Sequence, residues 1–251
     1  MRIIYIILAV IGSLCYGQDY TPDFDISKFI QTGGISKEIY RKKNGKLELN
    51  ERFYYDKNSS ILKLTTHQIL LDGNILKEIN FFLDSKNRIV KEEIQISDPY
   101  DSNLYMTQII KFEYFDSHKT MSFYDKKNRL YLKEYFIYND KKELVENFSV
   151  SAGDLVLHKR TIYYKENDYQ INETETYTDL KYKTIVKTKL DKGGFPFYIE
   201  SEGMLTQGNE VMPKQITYYE NETDSKGNLS KVFIINDKKK ELIKEVINRY
   251  E

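Results

Sequence analysis

The sequence predicts an all-β chain, an antiparallel meander of stacked β-hairpins forming a long curved or partly closed sheet. Three observations predict it. Clusters of Asn, Asp and Gly recur at near-regular intervals from Asn44 onward. Apolar and polar residues alternate between them, and Tyr, Phe, Ile, Thr and Val fill the intervals, as strands prefer. Among 251 residues there are 22 Tyr and 13 Phe but no Trp, enough aromatic surface to build a core.

Taken in order, the first element is a leader. The apolar run from Ile3 to Leu14 follows Met1-Arg2 and is shorter than the roughly 20 residues a membrane helix needs. It fits the h-region of a secretory signal with Arg2 as its basic start, and Gly17 supplies the small residue before cleavage. Cleavage between Gly17 and Gln18 makes 1–17 a signal peptide and gives a secreted or periplasmic, cell-envelope protein without a stable membrane span. Anchoring as a lipoprotein through Cys15 is disfavoured, because Leu14 and Gly12 do not make a lipobox. Removal of 1–17 also removes the only Cys, so no disulfide framework is expected. Residues 18–43 form an N-terminal segment with a short helix from Ser27 to Thr32, opened near Asp25 and closed by Gly33-Gly34.

The repeat domain spans 44–251. Its turns include Asn44-Gly45, Asp72-Gly73-Asn74, Asn139-Asp140 and Asp191 to Gly194, where Gly, Asn and Asp tolerate left-handed backbone. Between turns Ile79, Phe81 and Leu83 alternate with Asn80 and Phe82. Ile110, Phe112 and Tyr114 alternate with Lys111 and Glu113, and Val186, Thr188 and Leu190 with Lys187 and Lys189. Ser97 to Asn103 and Gln207 to Pro213 read as longer loops. At about 13 residues per strand and turn the chain holds roughly 14 strands, more than a strongly twisted open sheet usually carries, so it curls, splits or closes.

A degenerate repeat underlies the spacing. Phe82-Leu83-Asp84 leads through Asn87 to Ile89 and Lys91-Glu92; Phe123-Tyr124-Asp125 leads through Asn128 to Leu130 and Lys133-Glu134. Asp224 leads through Gly227 to Leu229, and Asp237 to Lys244-Glu245. Asp84, Asn87, Asp125, Asn128, Asp224 and Gly227 are thus structural turn residues. The pattern resembles the YD or RHS-like repeats of bacterial secreted proteins and, more loosely, MORN-like modules. That resemblance implies hairpins stacked into a long curved sheet, with Asn replacing the usual Gly at 87 and 128. The recurring Lys and Glu are expected on solvated strand faces as cross-strand charge ladders.

The chemistry is sparse. The 38 basic and 38 acidic residues balance, which argues against a nucleic-acid partner. His67, His118 and His158 stand apart, and no His-x-His, His-Glu-x-x-His or Cys-x-x-Cys spacing is present, so no metal site is expected. There is no Gly-x-Ser-x-Gly elbow or phosphate-binding loop. No catalytic residue and no cofactor are predicted. Ten Tyr near strand ends, among them Tyr54, Tyr55, Tyr163, Tyr164, Tyr218 and Tyr219, read as half-buried strand residues that could also serve an interface. Five Asn-x-Ser/Thr sequons, at Asn58, Asn147, Asn172, Asn221 and Asn228, are incidental in a bacterial setting.

The leading expectation is a non-enzymatic binding or scaffold module for another protein or a cell-surface polymer. The alternative is a periplasmic carrier of lipid or another hydrophobic ligand, its strands curled into a half or whole barrel. A hydrolase using two facing carboxylates is the third.

Overall fold

The computed structural model describes residues 29–43, 45–70, 73–98, 101–153, 156–177, 181–205, 210–236 and 239–250. The predicted signal peptide, its Gly17–Gln18 cleavage site and Cys15 lie outside the described residues. Sixteen strands occur among those described. They are β1 (Gly34–Lys43), β2 (Lys46–Asp56), β3 (Ile61–Leu70), β4 (Gly73–Leu83), β5 (Ile89–Asp98), β6 (Asp101–Tyr114), β7 (His118–Asp125) and β8 (Leu130–Tyr138). The second half comprises β9 (Leu144–Ser151), β10 (Leu157–Glu166), β11 (Tyr169–Thr176), β12 (Tyr182–Leu190), β13 (Pro196–Leu205), β14 (Glu210–Thr223), β15 (Leu229–Asn236) and β16 (Lys239–Tyr250). Each strand pairs antiparallel with its neighbours in sequence, and β1 also pairs with β16, so the meander is a closed barrel.

Closure corrects two expectations. The sheet is neither open nor partly closed, and the hairpins are not stacked repeats of the YD or RHS-like kind. Consecutive hairpins lie side by side in one continuous hydrogen-bonded sheet, and Ile39 opposite Val246 joins its last strand to its first. Closure removes both edges, and each hairpin buries its face in a shared interior instead of against a stacked copy. Residues 34–43, placed before the repeat domain by the sequence, are the strand that closes it.

The turn chemistry is local and regular. Five connections among the described residues share one design, in which an Asp or Asn oxygen accepts two main-chain amides. Asp84 takes those of Lys86 and Arg88, Asp125 those of Lys127 and Arg129, and Asp224 those of Lys226 and Asn228. Asn139 and Asp191 do the same. Three residues on, Asn87, Asn128 and Gly227 have φ of 57°, 58° and 76°, the left-handed geometry that Gly and Asn adopt most readily. Asp84 and Asp125 each also bind the guanidinium of the Arg four residues later.

Two expected loops, 97–103 and 207–213, are strand over their described residues, with 99–100 and 207–209 lying outside them. β5 reaches Asp98 and β6 begins at Asp101, so 97–103 is largely paired. β14 begins at Glu210 and contains Pro213, which sits in the register shift opposite Ser201 to Gly203. A bulge spares proline the ladder bond it cannot make.

Register fixes the inside. Tyr55, Leu62, Phe81, Glu92, Ile110, Phe123 and Leu132 form one cross-strand row from β2 to β8. Lys37, Phe53, Leu64, Ile79 and Ile94 form a second on the same face. Leu62 is 0% exposed and Phe81 2%, and with Ile39, Phe112 and Val246 they belong to one buried cluster. Sixteen strands around a circular section would leave an aqueous channel. Side chains this dry mean the interior is packed along this arc.

One end of the barrel is capped. The expected helix appears over 29–31, with Gly33 at φ 80° behind it. Phe29 is 3% exposed and lies flat on Gly34, where a Cβ would come within 2.3 Å of its ring. Asn228 donates to Thr32 Oγ1 and Tyr250 Oη, Tyr250 donates to Asp224, and Lys226 donates to the Thr32 carbonyl. The β14–β15 turn thereby ties the N-terminal turn to the last strand.

Candidate functional site

The inner face changes chemistry around the barrel. From β9 to β13 it carries Asn147, Thr161, Thr174, Thr184 and Gly203 in one row, and Asn172, Val186 and Ser201 in the next. These Thr are as buried as the Leu and Phe opposite, at 3% for Thr161 and 3% for Thr184. Thr161 and Thr174 share a 2.9 Å hydroxyl contact. Asn147 donates to Glu134. Tyr163 also points inward; burial, reinforced by the Glu134 charge, pushes its hydroxyl up to about 12.

Where this hydroxyl-lined arc meets the closure seam, a cavity of about 230 Å³ opens among β13 to β16 and β1. Register places Ile199, Asn221, Val232, Lys244 and Arg41 on the inner face around it. Its apolar wall is Phe195, Pro196, Ile199, Leu229, Val232 and Ile243. Arg41 and Lys244 are direct cross-strand partners in the β1–β16 ladder, so a guanidinium and an ammonium converge on the same space. Arg41 also forms an ion pair with Glu51 at 3.4 Å. Asn221 holds the rim by donating to Asp191 Oδ2 and the Pro196 carbonyl.

The outer face mixes ion pairs with exposed apolar side chains, among them Ile162, Tyr164, Ile216, Tyr218 and Ile247. Cross-strand pairs Lys63–Glu78 at 2.7 Å, Arg160–Glu146 at 2.7 Å and Lys240–Glu220 at 2.6 Å stand on it. Glu38 is gripped by Arg52 at 3.0 Å and Arg249 at 3.5 Å. A transmembrane barrel presents an apolar band about 25 Å tall at this position. Among the described residues, no helix is long and apolar enough to cross a membrane, which says nothing of strands.

Sequence-stated residues fall into three groups. Asp84, Asn87, Asp125, Asn128, Asp224 and Gly227 all lie in turns, and Asp224 alone also joins the end cap. His118 opens β7 and stacks on Phe115 at 4.3 Å, and His158 lies in β10, far along the chain from it. The Tyr-Tyr pairs split, with Tyr55, Tyr163 and Tyr219 inward and Tyr54, Tyr164 and Tyr218 outward.

The Lys-Glu repeat splits as well, which corrects the reading of it as wholly solvated. Adjacent residues on a strand face opposite sides, so Lys91 and Lys133 point out while Glu92, 7% exposed, and Glu134 point in. Lys244 of the last repeat is likewise inward and its neighbour Glu245 outward. Lys244 was thus hidden inside the repeat signature, and Arg41 lay ahead of it. The available signal was phase: Arg41 is two residues from Ile39, and Lys244 two from Val246.

No family model matches the chain, and no curated protein does. Two porin-like proteins are among the solved structures to which the chain is similar. One, a porin-like protein from Bacteroides uniformis, is 9% identical at a TM-score of 0.44, covering 87% of this chain and 98% of its own. The other, a porin-like protein from Bacteroides vulgatus, is 8% identical at a TM-score of 0.40, covering 87% of this chain and 99% of its own.

Proposed function

We propose that this is an exported, non-enzymatic carrier that holds a hydrophobic ligand inside a barrel standing in water. The observation that carries the reading is the polarity of the two faces. Ion pairs stand around the outside among exposed apolar and aromatic side chains. The inside is largely apolar and small hydroxyl side chains with a few buried charges such as Lys37, Glu92 and Lys119, and a cavity with six apolar residues in its wall interrupts the packing. Burying charge against lipid costs about 2–4 kcal/mol for each Lys or Arg at the midplane, so a ring of such pairs belongs in water. The closed sheet offers no edge for pairing with a partner strand, which draws the reading away from an open scaffold. The groups that meet at the cavity are cations, an amide and a phenol, a set suited to binding.

The test is extraction. The mature protein should leave the cell envelope in buffer without detergent, and native mass spectrometry of it should reveal a bound hydrophobic small molecule. Recovery only in detergent would overturn the aqueous barrel. A protein that is empty as isolated and takes up no alkyl ligand would overturn the carrier.

A further inference from the structure

We infer that the seam cavity takes a single-chain amphiphile with an anionic headgroup, the anion seated between Arg41 and Lys244 and the chain lying along Ile199, Leu229, Val232 and Ile243. This rests on the carrier reading and names its ligand. Three features of the cavity lead to it.

First, the two cations are brought together by the fold and not by chance on a surface. Arg41 and Lys244 face each other across the one strand pair that closes the barrel, and both side chains line the cavity. Like charges placed directly opposite on a ladder repel. Glu51 and, across the β1–β2 ladder, Glu48 offset Arg41, and a ligand anion seated between the two cations is drawn by both. A guanidinium offers a planar fork to a carboxylate or phosphate, and an ammonium adds a point charge beside it.

Second, beside Asn221 and Tyr219 the rest of the wall is apolar, so the complement is an anion with an alkyl tail, not a free inorganic ion. Third, the volume of about 230 Å³ lies below the usual 300–1,000 Å³ of drug-sized pockets. That admits one short chain and excludes a two-chain lipid without repacking. A free carboxylate and a monoalkyl phosphate share this chemistry.

Glu51 acts as the internal counter-charge. Its ion pair with Arg41 satisfies the guanidinium when the cavity holds no anion, and a ligand carboxylate competes with it. Removing the Glu51 charge therefore leaves the site more attractive to an anion.

The experiment is calorimetric titration of the delipidated mature protein with decanoate, decyl phosphate, decanol and decyltrimethylammonium. Decanoate or decyl phosphate should bind at least about tenfold more tightly than decanol, with the cationic analogue weakest, and whichever anion is tighter identifies the headgroup. Lys244→Gln should abolish that preference while decanol binding persists. Glu51→Gln should preserve or strengthen anion binding, and its fold is checked by melting. Equal affinity for decanoate and decanol, or an anion preference untouched by Lys244→Gln, overturns the headgroup assignment and leaves the carrier standing. Failure of all four ligands overturns the carrier itself.

Discussion

Two arcs of the same barrel are equally dry but chemically opposite. Along β1 to β6 the inner face is chiefly Ile39, Phe53, Leu62, Ile79, Phe81, Ile94 and Phe112, with Lys37 and Glu92 among them. Along β9 to β13 it is Asn147, Ser149, Thr161, Thr174, Thr184 and Thr188. Burial alone does not separate them, with Phe81 at 2% and Thr184 at 3%. Their energetics do. A buried Phe or Leu gains about 1.5–3 kcal/mol from the water it leaves, whereas a paired hydroxyl nets about 0.5–1.5 kcal/mol. The first arc supplies cohesion. The second, with short side chains and Gly203 in its row, fills less of the interior and borders the seam where the cavity lies.

The sharpest way to break this comparison is Phe81→Ala. Cutting the apolar arc at its largest fully buried side chain should cost about 3–5 kcal/mol, read by urea or thermal unfolding. A loss no greater than that of a Thr substitution across the barrel would remove the distinction.

Next is the turn that fastens the seam. Burial would raise the pKa of Asp224, but hydrogen bonds from Tyr250, the Asn228 amide, Asn248 and the Lys226 amide outweigh it and hold the carboxyl below its ordinary value. Asp224→Ala strands these donors and should cost about 2 kcal/mol in a melt. A carboxyl depressed in the folded state binds its proton less readily than in the unfolded chain. Its stabilisation is therefore complete above about pH 4, the unfolded value, and is lost as pH falls through the lower folded one. Asp84 and Asp125 are lowered too. At Asp84 burial pulls upward but hydrogen bonds from the Arg88 amide and guanidinium and the Lys86 amide outweigh it, while Asp125 is held chiefly by Arg129. Stability should thus fall steeply below about pH 4, and Asp224→Asn should flatten that fall in an acid melt.

Within the hydroxyl arc a smaller contrast follows. Thr161→Val leaves the Thr174 hydroxyl without its 2.9 Å partner and should cost about 1 kcal/mol. Thr184 Oγ1 is buried without a hydrogen-bond partner, so Thr184→Val should be neutral or slightly stabilising on the same melts. Smallest of all is the outer face. Removing the Lys63–Glu78 pair should change stability by less than about 1 kcal/mol, with a double-mutant cycle as the measure.

Much of the molecule was legible in particular residues. Asp84 to Ile89 spelled out its turn because an Asx-headed loop with a left-handed Asn is a matter of a few bonds among neighbours. Ile79, Phe81 and Leu83 announced both strand and buried face, because a period of two is a property of one strand. Pro213 misled, since a bulge exists only in relation to the partner strand, and 97–103 looked like a loop because its turn residues are denser than the connection needs. The candidate site was not legible. Lys244 carries the same Lys-Glu signature as Lys91, yet one faces in and the other out, and which it does depends on the shift between Val232 and Phe233 beside it.

The sequence by itself therefore determined an all-β antiparallel meander, with its turns and the alternation of its strands. These arise from interactions spanning a few residues, which local composition encodes. Only the tertiary structure decided that β1 meets β16, that the barrel closes on a dry interior, and that Arg41 and Lys244 share one cavity. Those depend on register summed over every strand between them, and small bulges accumulate into the one alignment that lets the first and last strands pair.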